Sequence, residues 1–284
     1  MSPTTVAEVT QKVGGEGIIT KLFTDIAKLW QDAAPQYLKG AWDTILLALV
    51  ATAVGCLIGL LCGILQTLKY SKNDFFLKKI IINVVKIFIR IYVEVFRGTP
   101  MILQAVFIFF GLPYLTGNAL RFDVITAAYV VVSINTGAYM AETVRGGILS
   151  IDRGQTEGAM AIGMNHFQTM LHVILPQTLR NIIPQIGNNL IINIKDTSVM
   201  FIIGYAELFA AHKSYVGATY LYFPSAVVTM IIYLIMTVAC SLLLRLWEHL
   251  MDGPENFNIA TTDSLALTSG MNNFPSGRSR RRVR

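Results

Sequence analysis

The stretch Thr44–Leu65, TILLALVATAVGCLIGLLCGIL, carries no charged side chain and decides the fold class. A helix needs about 20 residues to cross the ~30 Å hydrocarbon core of a bilayer, because each residue rises only about 1.5 Å. This stretch meets that length, and Ser225–Leu244 meets it a second time. Two such segments in one chain predict an all-α, polytopic membrane protein.

The composition of the whole chain agrees with that prediction. The 284 residues are 54% hydrophobic and 14% charged, whereas soluble domains contain about 25% charged residues. The composition therefore argues against an ordinary soluble enzyme and against a disordered chain. Cys56, Cys62 and Cys240 all lie in apolar runs, without the spacing of a metal site or a disulfide framework. We expect no metal and no cofactor in this chain.

Three further stretches are apolar but contain ionisable or amide side chains, namely Ile80–Leu112, Val124–Ile148 and Ile182–Leu208. Ionisable groups are costly within a membrane, and they usually face the interior of the helix bundle or an aqueous path. Together with the two uninterrupted stretches, they predict about five transmembrane helices.

The positive charges indicate how the chain is oriented. The net charge is +6, and Lys and Arg concentrate after the first span, after the third span and at the C-terminus, where Arg278–Arg284 contains five arginines. Such an excess marks cytoplasmic segments, so we expect no nucleic-acid partner. The pattern predicts an N-terminus outside the cell and a C-terminus in the cytoplasm.

The chain divides into three predicted parts. Residues 1–40 form an amphipathic interfacial segment, because Ile18, Leu22 and Ile26 recur at helical spacing while Lys21 and Asp25 occupy other faces. Residues 41–250 form the transmembrane domain. Residues 251–284 are polar and Arg-rich, which is typical of a disordered cytoplasmic tail that can touch anionic lipid.

The cytoplasmic link at about 150–176 contains signals for two short helices. Two capping boxes open them: Asp152 with Gln155, and Asn165 with Gln168. Gly163 is a natural helix stop between them, and Pro176 is expected to break the chain again. Apolar side chains in this link require either a partner protein or the chain's own helix ends to cover them.

The same link resembles a known family. Glu157-Gly158-Ala159, Gly163 and Val173-Ile174-Leu175-Pro176 keep the spacing of the EAA loop of ABC-importer permeases, with Gly158 and Val173 as departures. Phe96-Arg97-Gly98-Thr99-Pro100 and Lys195-Asp196-Thr197-Ser198 resemble segments of the polar amino acid uptake permeases, of the histidine and glutamine permease type. The resemblance covers roughly residues 40 to 250.

This resemblance implies the transmembrane subunit of an ATP-driven amino acid importer in the bacterial plasma membrane. It implies two ATPase subunits, a second permease copy or a paralogue, and an extracytoplasmic amino acid binding protein. The implied ATPase-coupling residues are Glu157, Ala159, Gly163, Phe167, Leu175 and Pro176. The chain contains no GxxxxGK[ST] phosphate loop, so we expect ATP and Mg²⁺ in the partner ATPase and no enzyme activity here. A self-contained secondary transporter or channel explains the polar spans but not the EAA spacing.

The candidate substrate path follows the interrupted spans and comprises Arg97, Glu142, Asn188, Asn189 and Asp196. An arginine suits the carboxylate of an amino acid, and a glutamate suits its ammonium group. Two alternatives stay open for the charges: Arg97 pairs with Glu94, or Glu142 pairs with Arg145. The asparagines either line the path or hold helices together. Thr99 is predicted to cap a helix that begins at Pro100.

The orientation leads to a first testable prediction. A fluorescent protein that matures only in the cytoplasm, fused after Arg284, is expected to fluoresce, because the arginine-rich end stays on the cytoplasmic side. An alkaline phosphatase fusion at the same position is expected to be inactive. Phosphatase activity together with a dark fluorescent fusion would overturn the orientation.

Overall fold

The computed structural model describes residues 15–68 and 75–252, and within these ranges every regular element is helical. The chain divides into two compact units, 1–244 and 245–284. The described helices lie in the first unit, except that the end of the last helix belongs to the second. Two of the lysines that follow the first span, Lys69 and Lys72, lie outside the described residues, as does the predicted tail beyond Asp252.

The helices follow one another in chain order. The first half comprises α1 (Gly15–Thr67), α2 (Phe76–Gly98), α3 (Met101–Val106), a π-helical turn (Phe107–Gly111), α4 (Leu112–Leu115) and α5 (Val124–Ser150). The second half comprises α6 (Arg153–Ala161), α7 (His166–Thr169), a second π-helical turn (Met170–Ile174), α8 (Leu175–Asp196), a 3₁₀ segment (Thr197–Ile203), α9 (Leu208–Thr219) and α10 (Tyr222–Asp252).

Three helices in the described ranges are long and apolar enough to cross a membrane: Gly17–Thr67, Val124–Ser150 and Tyr222–Trp247. The other two predicted spans are interrupted. The second is divided between α2 and α3 by the extended residues Thr99 and Pro100, and the fourth passes from α8 into the 3₁₀ segment before it ends at Gly204. The all-α, polytopic prediction is confirmed. Both interruptions fall in polar stretches, whereas the third polar stretch forms the continuous helix α5.

Residues 15–40 of the predicted N-terminal segment form the first part of α1 and continue without a break into the first span, and residues 1–14 lie outside the described residues. Its side chains Leu29, Ala33 and Tyr37 are buried in one cluster with Ala211 of α9 and Val228 of α10. The sequence pattern had not singled out Leu29 or Tyr37. The interfacial position of this segment stays a prediction.

A stripe of glycines joins α1 to α5. A Cβ atom added at Gly59 would lie 2.3 Å from the Cβ of Met140 and 2.8 Å from the backbone nitrogen of Ala141. Added Cβ atoms at Gly55 and Gly63 would lie 2.6 Å from side-chain atoms of α5. Because no side chain larger than hydrogen fits there, the glycines at every fourth position allow the two helices to approach closely.

Asn193 connects three helices in the same region. Its amide nitrogen donates hydrogen bonds to the hydroxyl of Thr52 on α1 at 2.7 Å and to the hydroxyl of Thr136 on α5 at 2.9 Å. Asn193 is 6% exposed. It therefore holds α8 against α1 and α5, which is a helix-packing role for this asparagine.

The expected break at Pro176 is wrong. The chain stays helical from His166 to Asp196, and the π-helical turn at Met170–Ile174 leads directly into α8. Proline cannot supply a backbone N–H and crowds the carbonyl four residues earlier. A π-helical turn contains an extra residue, and here it accommodates Pro176 near the start of α8.

The glycine stripe gives a second prediction. Gly59→Ala is expected to lower the melting temperature of the purified protein, because overpacking of a tight contact costs about 1–3 kcal/mol. Gly146→Ala is the matched control, since a Cβ at Gly146 on α5 meets nothing within 4 Å. The measurement is the thermal loss of monodisperse protein in size-exclusion chromatography. Equal melting temperatures for the two variants would contradict the contact.

Candidate functional site

A polar cavity of about 340 Å³ lies among α1, α2 and α5. Its charged lining residues are Lys86, Arg90, Glu94, Arg97, Glu142 and Arg145. Gln66 of α1 completes its polar wall. The structure therefore brings Arg97 and Glu142, two of the three charged candidates for the substrate path, to the same cavity from different helices.

Arg97 rests on an aromatic ring of α5. Its guanidinium carbon lies 5.6 Å from the centre of the Tyr139 ring, within the range of a cation–π interaction. Tyr139 and Glu142 are three residues apart and therefore neighbours on the helix surface. The ring holds the guanidinium on the same side of α5 as the carboxylate.

One of the two alternative ion pairs is formed. The Nε and Nη2 atoms of Arg145 both donate to the Glu142 carboxylate. Arg97 and Glu94, both within the described ranges, form no ion pair with each other. A carboxylate has about four acceptor positions, so Glu142 can accept a further donor while it is paired with Arg145.

The helix break next to Arg97 does not follow the predicted capping. The hydroxyl of Thr99 donates to the carbonyl oxygen of Val95 at 2.8 Å. The N-cap position of α3 is occupied by Pro100 and not by Thr99. The prediction that Thr99 caps this helix is therefore wrong, because α3 begins one residue later than assumed. Instead, the amide side chains of Gln104 and Asn135 lie across the break.

Sequence reasoning missed Gln104 and Tyr139 as residues of this region. Gln104 is an amide in an apolar run and is 7% exposed, which is a signal that a buried polar group needs partners. Tyr139 offered only its position three residues before Glu142.

The asparagines of α8 lie away from the lining of the polar cavity. Asn188 is exposed, whereas Asn189 is 7% exposed. The Asn189 amide donates to the carbonyl of Gln185 at 2.9 Å and lies 3.2 Å from the sulfur of Met140. This geometry is that of a helix-packing contact. The role of both residues in the substrate path stays a prediction.

Asp196 occupies the C-terminal end of α8, beside Lys195. Lys195 lines a second, mostly apolar groove of about 520 Å³ together with Phe209, Tyr233 and Leu234. Asp196 itself is exposed. The structure therefore separates Asp196 from the cavity that contains Arg97 and Glu142.

The link between α5 and α8 presents a small apolar surface. Ile162 is 80% exposed and Phe167 is 74% exposed, while Ala159 is buried. The predicted capping box of Asn165 and Gln168 is confirmed, since each side chain bonds the other's backbone nitrogen at 2.9 Å. Of the other coupling candidates, Glu157 and Pro176 are exposed and Leu175 is half-buried.

Gly163 forms the corner between α6 and α7. Its φ angle is +87°, in the left-handed region that other residues adopt only with strain. The carbonyl of Met160 accepts its backbone N–H at 3.0 Å. The predicted helix stop at Gly163 is confirmed.

Comparison with known proteins places this arrangement in one family. Residues 82–252 match the family described as binding-protein-dependent transport system inner membrane component. The glutamine transport system permease protein GlnP of Escherichia coli K12 is 38% identical over 228 residues, which cover 80% of this chain and 97% of that protein. The probable amino-acid permease protein YxeN of Bacillus subtilis is 33% identical over 77% of this chain and 96% of its own length.

Solved structures show the same fold. An amino acid ABC transporter crystallised with histidines matches with a TM-score of 0.66 and 32% identity, over 76% of this chain and 94% of that chain. The inward-facing MetNI methionine ABC transporter, 21% identical with a TM-score of 0.55, covers 74% of this chain and 95% of that chain and supports the fold alone.

The polar cavity, the exposed helix–glycine–helix segment and the sequence matches lead to one assignment. The chain belongs to the family of binding-protein-dependent transport system inner membrane components, and it is the membrane-embedded permease subunit of an amino acid ABC importer, which is not itself the catalytic subunit.

Proposed function

We propose that the polar cavity binds the α-amino and α-carboxylate groups of a polar amino acid during import. The observation that carries this proposal is the placement of Arg97 and Glu142 in one cavity, beside a broken transmembrane helix. Broken helices and buried charges mark substrate sites in transporters. The relative that transports glutamine supports an amino acid as the substrate class.

Each group of the substrate has a partner of opposite charge. The guanidinium of Arg97 binds the substrate carboxylate, because its planar fork of donors matches two carboxylate oxygens. Glu142 accepts the substrate ammonium while Arg145 holds its carboxylate in place. Asn188, Asn189 and Asp196 would extend the path along α8, outside this cavity.

Membership of the family supports a proposed assembly with other subunits. The apolar surface around Phe167 and Ile162 is proposed to dock on a cytoplasmic ATPase that binds ATP and Mg²⁺. We expect two ATPase subunits, a second permease subunit that is either the same chain or a paralogue, and an extracytoplasmic binding protein. This arrangement requires the C-terminus to lie in the cytoplasm and the N-terminus outside.

The third prediction tests the cavity. Arg97→Ala and Glu142→Gln are expected to lower amino acid uptake by about 10- to 100-fold, since each removes a charge-assisted bond worth about 1.5–3 kcal/mol. The assay supplies each of the twenty amino acids separately, radiolabelled, to proteoliposomes containing the permease, its ATPase and its binding protein.

Two variants are the matched controls. Arg121→Ala and Asp32→Asn remove exposed charges outside the cavity and are expected to transport normally. Uptake by Arg97→Ala and Glu142→Gln at the control rate would overturn the proposed site. Uptake that needs an ion gradient and no ATPase would favour a secondary transporter instead.

The fourth prediction tests the coupling segment. Gly163→Ala is expected to reduce substrate-stimulated ATP hydrolysis, because an alanine at φ +87° forces the corner to rearrange. Gly158→Ala is the control, since neither glycine has an atom within 4 Å of an added Cβ and only Gly163 has a positive φ angle. A permease whose Gly163→Ala variant stimulates its ATPase as fully as Gly158→Ala would contradict the coupling role.

A further inference from the structure

The break between α2 and α3 leaves backbone groups without helical partners. Thr99 and Pro100 adopt extended conformations, with ψ angles of 147° and 134°. The last carbonyls of a helix lack intrahelical donors, and within a membrane each unsatisfied group costs several kcal/mol. A stable break at this position therefore requires donors from side chains.

Two amide side chains supply those donors. The Nε2 atom of Gln104 lies 2.9 Å from the carbonyl oxygens of both Phe96 and Thr99. The Nδ2 atom of Asn135 lies 3.1 Å from the same Phe96 carbonyl and 3.0 Å from the Oε1 atom of Gln104. One amide from α3 and one from α5 thus bridge the break and contact each other. We call Gln104 and Asn135 the amide clamp.

The amide clamp fixes the helix end that carries Arg97. Phe96, whose carbonyl accepts from both amides, immediately precedes Arg97 in the chain. Asn135 lies four residues before Tyr139 and seven before Glu142, which places all three on one stripe of α5. The clamp therefore ties the Arg97 end of α2 to the stripe of α5 that carries the opposite wall of the polar cavity.

We propose that Gln104 and Asn135 are positioning residues of the transport site, which hold the broken end of α2 so that Arg97 faces Glu142 across the cavity. This inference rests on the proposed function of that cavity. Neither amide touches the substrate: Gln104 acts through the backbone of Phe96 and Thr99, and Asn135 acts through that of Phe96. Their loss displaces Arg97 and leaves the charges of the cavity unchanged.

The test compares three variants. Gln104→Met removes the amide without adding a charge, Gln104→Glu keeps an oxygen for Asn135 but removes the amide donors, and Asn135→Ala removes the contribution of α5. Gln31→Met is the control, because Gln31 is exposed on α1.

The first measurement is the KM and kcat of uptake in proteoliposomes. The substrate is whichever of the twenty amino acids the wild-type complex transports. The clamp variants are expected to raise KM about tenfold, as the loss of one hydrogen bond does, with normal assembly and a KM for Gln31→Met equal to that of the wild type.

A second measurement follows the break itself and does not depend on transport. A Cβ at Gly98 meets nothing within 4 Å, so Gly98→Cys fits without strain in a chain in which Cys56, Cys62 and Cys240 are replaced by alanine. The probe is a charged methanethiosulfonate reagent. Adding Gln104→Met or Asn135→Ala is expected to change the labelling rate of this cysteine several-fold, whereas adding Gln31→Met leaves it unchanged.

The outcomes separate the two proposals. A raised KM with a changed labelling rate supports the positioning role. An unchanged labelling rate overturns it, whether transport is normal or only kcat falls. If the clamp variants change the labelling rate but the wild-type complex transports none of the twenty amino acids, the proposed function is overturned while the clamp geometry stands. If Gln104→Glu fails to assemble, Gln104→Met and Asn135→Ala still decide the question.

Discussion

The close contact between α1 and α5 is the constraint on which the rest of the described structure depends. Gly55, Gly59 and Gly63 allow α5 to approach so closely that a Cβ at Gly59 would overlap Met140. Dispersion contacts and small residues, and not the hydrophobic effect, hold helices together in lipid. With this face of α5 fixed, the neighbouring face that carries Asn135, Tyr139 and Glu142 is directed towards α2.

The polar groups inside the bundle fall into two kinds. Asn193, with Thr52 and Thr136, is fully satisfied within the protein and holds helices together. Arg97, on the other hand, has an aromatic ring beside it and no ion pair with Glu94. The guanidinium donors that Arg97 does not use in an ion pair with Glu94 are available for a ligand. The candidate site therefore differs from the packing contacts in whether its polar groups already have partners within the protein, and not in polarity alone.

The sequence predicted those features whose signals are local. Uninterrupted apolar length identified two of the predicted spans, and the pattern Asn165–Gln168 identified a capping box that the structure contains. Features that depend on distant partners could not be read in this way. Pro176 is accommodated by a π-helical turn, and Gln104 finds its amide partner 31 residues away on α5. The sequence shows that Pro176 and Gln104 are present but does not show what surrounds them in the fold.

α5 contacts both the polar cavity and the segment that leads into α8. Val144 and Ile148 of α5 are buried in one cluster with Ile174 and Ile182, where that segment joins α8. Val144 is two residues from Glu142, and a Cβ at Gly147 would lie 2.7 Å from Ile182. Glu142 and Arg145 line the polar cavity from the same helix. α5 therefore forms one wall of the cavity and also packs against the segment that leads into α8, so that the position of this one helix determines both contacts.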